Sequence, residues 1–260
     1  MLHYQSYENI ITIFFLAYLC PTLWANEPLL LQTVTSNNLL LNLIYINLKN
    51  PRLNIIPITP LPGESLFKAA QRVSADAAIN GAYFMGARDY RPIGDILVDK
   101  KTKNSGRLGT AIGINSKNEI EFFLNRIKHK EKLETRYVNV LTAGPRLITT
   151  GDVTIAAREE GFSDPRLFQK KRRSALGLID QAYLILVSTS TPCYFEELAQ
   201  ALQTLGITQA MNLDGGSSTG LFYKDTMIVK PQTSSASTFL AVFVNNSFWW
   251  ERWKAFIYAN

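Results

Sequence analysis

The stretch FEELAQALQTLGITQAMNLDGGSST, Phe195 to Thr219, reads as a helix, then a strand, then a turn of small residues. Leu198, Ala201, Leu202 and Leu205 recur at the spacing of one helix face, and Gly206 supplies the stop. AMNLD, Ala210 to Asp214, is a short strand-like run that ends on a carboxylate, and Gly215, Gly216, Ser217, Ser218 and Thr219 follow it. A helix that feeds such a strand implies layers of helix on sheet. It also places Asp214 where bare main chain and hydroxyls lie within reach of a ligand.

Outward from this stretch the chain is mostly short apolar runs punctuated by turn residues. LLLNLIYINL (Leu39 to Leu48) and the proline-containing NPRLNIIPITP after it suit a hairpin or a pair of strands. ESLFKAAQRV (Glu64 to Val73) has helical spacing, and ADAAINGAYF is a buried strand that breaks at Asn80 and Gly81. GDILVDKK, LGTAIGIN, EIEFFLN and YVNVLTAGPRLITTGDV read as successive strands, SALGLI and YLILVSTS as another pair, and GLFYKDTMIV and TFLAVFVNN as the last. The expected fold is α+β: a single domain over 27–247 with a strongly curved, mainly antiparallel or mixed sheet and two or three packed helices.

Composition supports a packed core, with 47% hydrophobic and 18% charged residues in 260. The run Ile10 to Cys20 has the length of a signal h-region and is too short to span a bilayer, which takes about 20 residues. With Ala25 as the last residue before a cut, residues 1–25 are expected to be an export signal and the protein periplasmic or secreted. The segment before that run lacks Lys and Arg and carries Glu8, so a retained anchor is the other reading. If Cys20 leaves with the signal, Cys193 is alone and no internal disulfide forms. The tail 248–260, FWWERWKAFIYAN from Phe248, suits peripheral membrane contact or packing on the domain.

Exclusions narrow the chemistry. The net charge is +6, and the basic run KKRR (Lys170 to Arg173) has neither aromatic interleaving nor a reader motif, so no nucleic acid is expected as partner. Without the leader His129 is the only histidine, in the charged stretch KHKEK, which argues against a Ser-His-Asp triad and against zinc sites of His and Cys. Acid–base work therefore falls to carboxylates. No cofactor is expected; carboxylates can hold a divalent ion, but no spacing here compels one.

NGAYF (Asn80 to Phe84), TAGPRLI (Thr142 to Ile148) and RRSALGL (Arg172 to Leu178) each place a polar or cationic group beside a small residue at a strand edge, as does NLDGGSST. Sites assembled from several strand ends need such segments. Together with PIGDILVD (Pro92 to Asp99), this ordered set resembles the phosphodiester glycosidase family over roughly residues 75–245. The resemblance implies hydrolysis of a sugar-1-phosphodiester to free sugar and phosphomonoester. It puts functional weight on Asn80, Gly81, Arg173, Asp214, Gly215, Gly216 and Ser217, then on Gly144 and Arg146, and also on Asp95 and Glu197. Ala82, Ser174 and a missing Asp-Gly-Arg-like turn in STSTPCYFEEL depart from the family pattern.

A phosphodiester is already a fair leaving group once its charge is compensated, so cations and N–H donors matter more than a strong acid. On that reading Arg173, helped by Arg146, takes the phosphate, and the loop Gly215 to Ser218 adds donors. Asp214 activates water or stabilises the anomeric centre, Glu197 or Asp95 is the second carboxylate, and Asn80 positions a hydroxyl or the water. Each has a plainer reading: Asp-Gly-Gly as a turn, Arg173 as a surface cation, Glu197 as a helix-dipole acid, Asp95 as a turn acid. A non-catalytic glycan-binding protein of the envelope is the alternative to an enzyme.

Overall fold

The apolar runs become strands of three antiparallel sheets and a separate two-stranded ribbon. The computed structural model describes residues 27–86, 89–125, 130–233 and 237–244. The expected signal 1–25, His129 and the aromatic tail 248–260 lie outside the described residues.

The seven-stranded sheet runs, in spatial order, Leu29–Ser36, Leu39–Asn47, Tyr183–Cys193, Lys171–Ile179, Gln209–Asn212, Arg146–Thr149 and Asp152–Val153. One five-stranded sheet is ordered Ile120–Leu124, Thr110–Ile114, Asn139–Ala143, Ile96–Val98, Lys101–Asn104. The other is ordered Thr226–Val229, Leu221–Tyr223, Ala77–Asn80, Phe239–Val244, Leu53–Ile58. The ribbon pairs Phe84–Gly86 with Asp89–Pro92.

The expectation of one curved sheet thus gives way to several, and the alternation of side chains explains why. Leu41 and Leu43 join Ile185, Val187, Ala175 and Ala210 on one face of the large sheet, under the helix Phe195–Thr204. Their neighbours Ile44, Ile46, Leu184, Leu186, Leu176 and Met211 point the other way, into a core shared with the remaining sheets. Strands apolar on both faces need cover on both. For the same reason Leu39–Asn47 and Leu53–Ile58, neighbours in sequence, do not form a hairpin: the first lies between Leu29–Ser36 and Tyr183–Cys193, the second pairs with Phe239–Val244.

The helix Phe195–Thr204 buries Phe195, Leu198, Ala199, Ala201 and Leu202. It stops where Gly206 turns to φ +78, a conformation costly for a side chain. The Gly206 N–H then donates to the Gln203 carbonyl at 2.9 Å and Ile207 N–H to the Leu202 carbonyl at 3.2 Å. These are the paired bonds of a Schellman stop, and Ile207 folds back into the cluster that holds Leu202. The chain is thereby turned into Gln209–Asn212 and delivered to Asp214. A second helix, Leu66–Arg72, covers the sheet that contains Ala77–Asn80, with Ser65 Oγ accepting from Lys68 N–H at 3.3 Å. A third, Lys130–Arg136, leads to Tyr137, whose ring stacks on Phe123 at 5.2 Å. Among the described residues no helix is long and apolar enough to cross a membrane.

Candidate active site

Four strand ends meet at one place. The Asp214 N–H donates to the Gly81 carbonyl at 3.0 Å, Leu213 N–H to the Ser174 carbonyl at 2.8 Å, and Gly144 N–H to the Asn212 carbonyl at 2.8 Å. Asn80 locks the junction with its side chain. Its Nδ2 donates to the Asp214 carbonyl at 2.5 Å, while its Oδ1 accepts from Ser174 Oγ at 2.6 Å and from Gly220 N–H at 2.9 Å. The segments NGAYF, TAGPRLI, RRSALGL and NLDGGSST are therefore joined through main chain and one amide. Asn80, only 1% exposed, is spent on that joining.

Close approach dictates the glycines. A β-carbon on Gly81 would lie 2.6 Å from Thr238 Oγ1, and one on Gly215 would lie 2.9 Å from the Arg172 carbonyl and 3.9 Å from Arg173 Cδ. The Gly215 approach shows how tightly the Asp214 loop is laid against Lys171–Ile179. Gly144 and Gly216 take φ +110 and +66, and Ser217 is exposed, its carbonyl accepting from Gln232 N–H at 2.7 Å.

Asp214 is the electrostatic centre. Burial pushes its carboxyl up to about 6, against the opposing pull of the Ser218 hydroxyl, the Gly215 N–H and the Lys171 charge. The Gly215 N–H donates to Asp214 Oδ1 at 2.9 Å. Lys171, half-buried, lies against Gly216, where a β-carbon would sit 3.6 Å from its Cδ. Of the basic run, this is the cation whose charge acts on Asp214.

Arg173 is placed differently from the surface residue that its charged neighbourhood suggests. It is 1% exposed; its Nε donates to the Cys193 carbonyl at 3.1 Å, and one Nη2 serves the carbonyls of Leu167 and Gln169 at 3.0 and 2.8 Å. Phe195 presents its ring face 4.0 Å from the guanidinium carbon. No carboxylate pairs with Arg173 among the described residues, and its Nη1 bonds to none of them. A buried guanidinium balanced by carbonyl dipoles alone favours an anion beside it.

The remaining sequence candidates stand elsewhere. Arg146 sends its guanidinium to Thr149 Oγ1 and Gln209 Oε1, at 3.3 and 3.0 Å, and over the Phe122 ring at 5.1 Å. Glu197 accepts from Tyr194 N–H at 2.8 Å and pairs with Lys170 at 3.0 Å, capping its helix. Asp95, 3% exposed, accepts from Gly106 N–H at 2.9 Å. No hydrogen bond or ion pair joins any of these three to Asp214 among the described residues.

Instead the structure brings in Tyr83 and Glu160, which the sequence did not single out. Glu160, 7% exposed, accepts from Arg146 N–H at 2.7 Å and Thr110 Oγ1 at 2.8 Å, and burial raises its carboxyl above the usual range. The Tyr83 hydroxyl accepts from Asn212 Nδ2 at 2.7 Å. Its phenol is raised far above 10, first by burial, then by the Asp214 charge, with Glu160 adding to the rise and Arg173 opposing it. Tyr83 stood inside the quoted NGAYF; Glu160, in AAREEG, has no local signal that separates it from Glu159. Among the described residues no three His, Cys, Asp or Glu side chains gather to hold a metal ion. A groove lined by Phe67, Asp225, Met227, Lys230 and Gln232 shares none of these site residues.

Residues 74–244 match the phosphodiester glycosidase family. No curated protein matches the chain. Among solved structures, the catalytic domain of zebrafish N-acetylglucosamine-1-phosphodiester α-N-acetylglucosaminidase, auto-inhibited by its pro-peptide, aligns with TM-score 0.67 and 17% identity over 84% of each chain. A protein from Synechocystis aligns with TM-score 0.71 and 19% identity, over 83% of this chain and 62% of that one. A protein from Burkholderia pseudomallei K96243 aligns with TM-score 0.56 and 14% identity, over 79% of this chain and 74% of that one. At these identities the likeness to solved structures speaks for the fold alone.

Proposed function

Because the chain belongs to the phosphodiester glycosidase family, we propose that it hydrolyses a sugar-1-phosphodiester to free sugar and phosphomonoester, with Asp214 as the acting carboxylate. The supporting observation is the setting of Asp214: lifted by burial to about 6, held by the Gly215 N–H and Ser218, with Lys171 and the buried Arg173 close by. A carboxylate with that affinity for protons is ionised at neutral pH and is still basic enough to assist a water molecule.

In this reading water attacks the anomeric carbon, Asp214 receives its proton, and the C1–O bond breaks toward phosphate. The departing group turns from a monoanionic diester into a dianionic monoester, so it needs positive charge more than a proton. Lys171 and Arg173 supply that charge; Arg146, engaged with Thr149 and Gln209, is left out. Neither Glu197, bound to its helix end, nor Asp95 takes part. Export by residues 1–25 and a substrate in the envelope or outside the cell complete the proposal, on the strength of the apolar run Ile10 to Cys20.

Pure protein and the Asp214→Asn variant, each incubated with a panel of sugar-1-phosphodiesters, test this. Sugar release by wild type and a loss of roughly 1,000-fold or more in the variant is the expected result. Binding without release would favour the glycan-binding alternative, and a variant at near-normal rate would remove Asp214 from the reaction.

A further inference from the structure

We propose that Tyr83 also touches substrate: its phenolic O–H donates a hydrogen bond to the phosphate oxygen that leaves the anomeric carbon, a role resting on the phosphodiester glycosidase reading above.

Geometry fixes the direction of the bond that Tyr83 makes inside the chain. Asn212 Nδ2 faces the Tyr83 oxygen at 2.7 Å and also meets two main-chain carbonyls, those of Leu213 and Gly144, the latter at 3.4 Å. Carbonyls only accept, so the amide must present its nitrogen on this side, and Tyr83 must accept from it. Tyr83 therefore keeps its own hydrogen to give, and it gives it to no described residue. Asn212 is 0% exposed, so reversal would turn its amide oxygen on those two carbonyls with no water to relieve it.

The ring is equally held. The Tyr83 carbonyl accepts from Ile93 N–H at 3.0 Å, and the ring stands edge-on to Phe162, with centroids 5.5 Å apart. Tyr83 is half-buried. Burial, and after it the Asp214 charge, holds the phenol in its protonated form, a hydrogen-bond donor. Arg173 acts on the same hydroxyl and carries the charge that favours an anion there.

The step balances as follows. Water bonds to C1 and its proton passes to Asp214; the electron pair of the C1–O bond stays on the phosphate oxygen; the Tyr83 proton remains on Tyr83 and shares that new charge. Such a donor counts most in the transition state.

Tyr83→Phe removes one oxygen and keeps the ring against Phe162. Across a series of sugar-1-phosphodiesters, the expected result is a loss of roughly 100-fold in kcat with KM little changed. The loss should grow as the leaving phosphate becomes more basic, while the melting temperature falls only modestly, since the variant takes one acceptor from the buried Asn212 Nδ2. A uniform loss across the series, or none, overturns the proposal. Calorimetric titration with inorganic phosphate gives an arm that does not need turnover. If wild type releases no sugar from any substrate, the enzymatic reading fails, yet weaker phosphate binding in Tyr83→Phe still sustains the contact; equal binding refutes it.

Discussion

At the scale of single residues, Asp214 carries a cost that can be measured without any substrate. Its carboxyl ordinarily titrates at 3.8 and in the fold at about 6. Between those values the folded chain holds a proton that the unfolded chain has released, so stability falls as pH rises through that window and stays lower above it. Asp214→Asn cannot titrate. The variant should gain on wild type from ~pH 4 to ~pH 6 and keep a lead of up to about 3 kcal/mol above, reduced by screening at the partly exposed carboxylate. Denaturant melts of both proteins at ~pH 4 and ~pH 8 check this, and a gap that stays constant would contradict it. Stability yielded at a buried carboxylate fits the common trade between folding and activity, on the proposed role of Asp214.

Residue identity alone could not rank the members of KKRR. The strand is irregular between Lys171 and Arg173, and only packing shows that Arg173 lies under Phe195 and the carbonyls of Cys193, Leu167 and Gln169, while Lys171 lies against Gly216 and its charge acts on Asp214. Glu159 and Glu160 pose the same problem: both are acids in an irregular stretch, and burial on the Thr110 side distinguishes them.

At the scale of elements, the helix Phe195–Thr204 was the most legible feature, since its period, its apolar face and Gly206 all point to one answer. Its first turn shows how a plausible site residue can be structural. Glu197 accepts from Tyr194 N–H and pairs with Lys170, so Glu197→Ala should fray the helix start and lower the melting temperature while sugar release stays near wild type. Loss of turnover together with an unchanged melting temperature would reverse that assignment. The ribbon Phe84–Gly86 and Asp89–Pro92 was not legible, because MGARDYRP has no alternation of apolar and polar residues to mark its strands. Exposed Met85 and Tyr90 show that it buries little.

At the scale of the whole molecule, the sequence showed that most runs were strands but not which sheet each joined. Leu41 and Leu43 lie on one face of the large sheet and Ile44 and Ile46 on the other, so the strand is apolar on both faces and its period gives no direction. Partner choice depends on contacts such as Phe239–Val244 with both Leu53–Ile58 and Ala77–Asn80. Those pairings are remote in sequence. The convergence of NGAYF, TAGPRLI, RRSALGL and NLDGGSST was readable as a set of strand ends, and Asn80 is the side chain that joins three of them.

The most direct measurement is a crystal structure of Asp214→Asn holding an uncleaved sugar-1-phosphodiester. The anomeric carbon should lie beside residue 214, with the phosphate between Lys171, the Tyr83 hydroxyl and the Nη1 side of Arg173. A ligand seated instead in the groove of Phe67, Met227 and Lys230, with Asp214 facing solvent, would contradict the account.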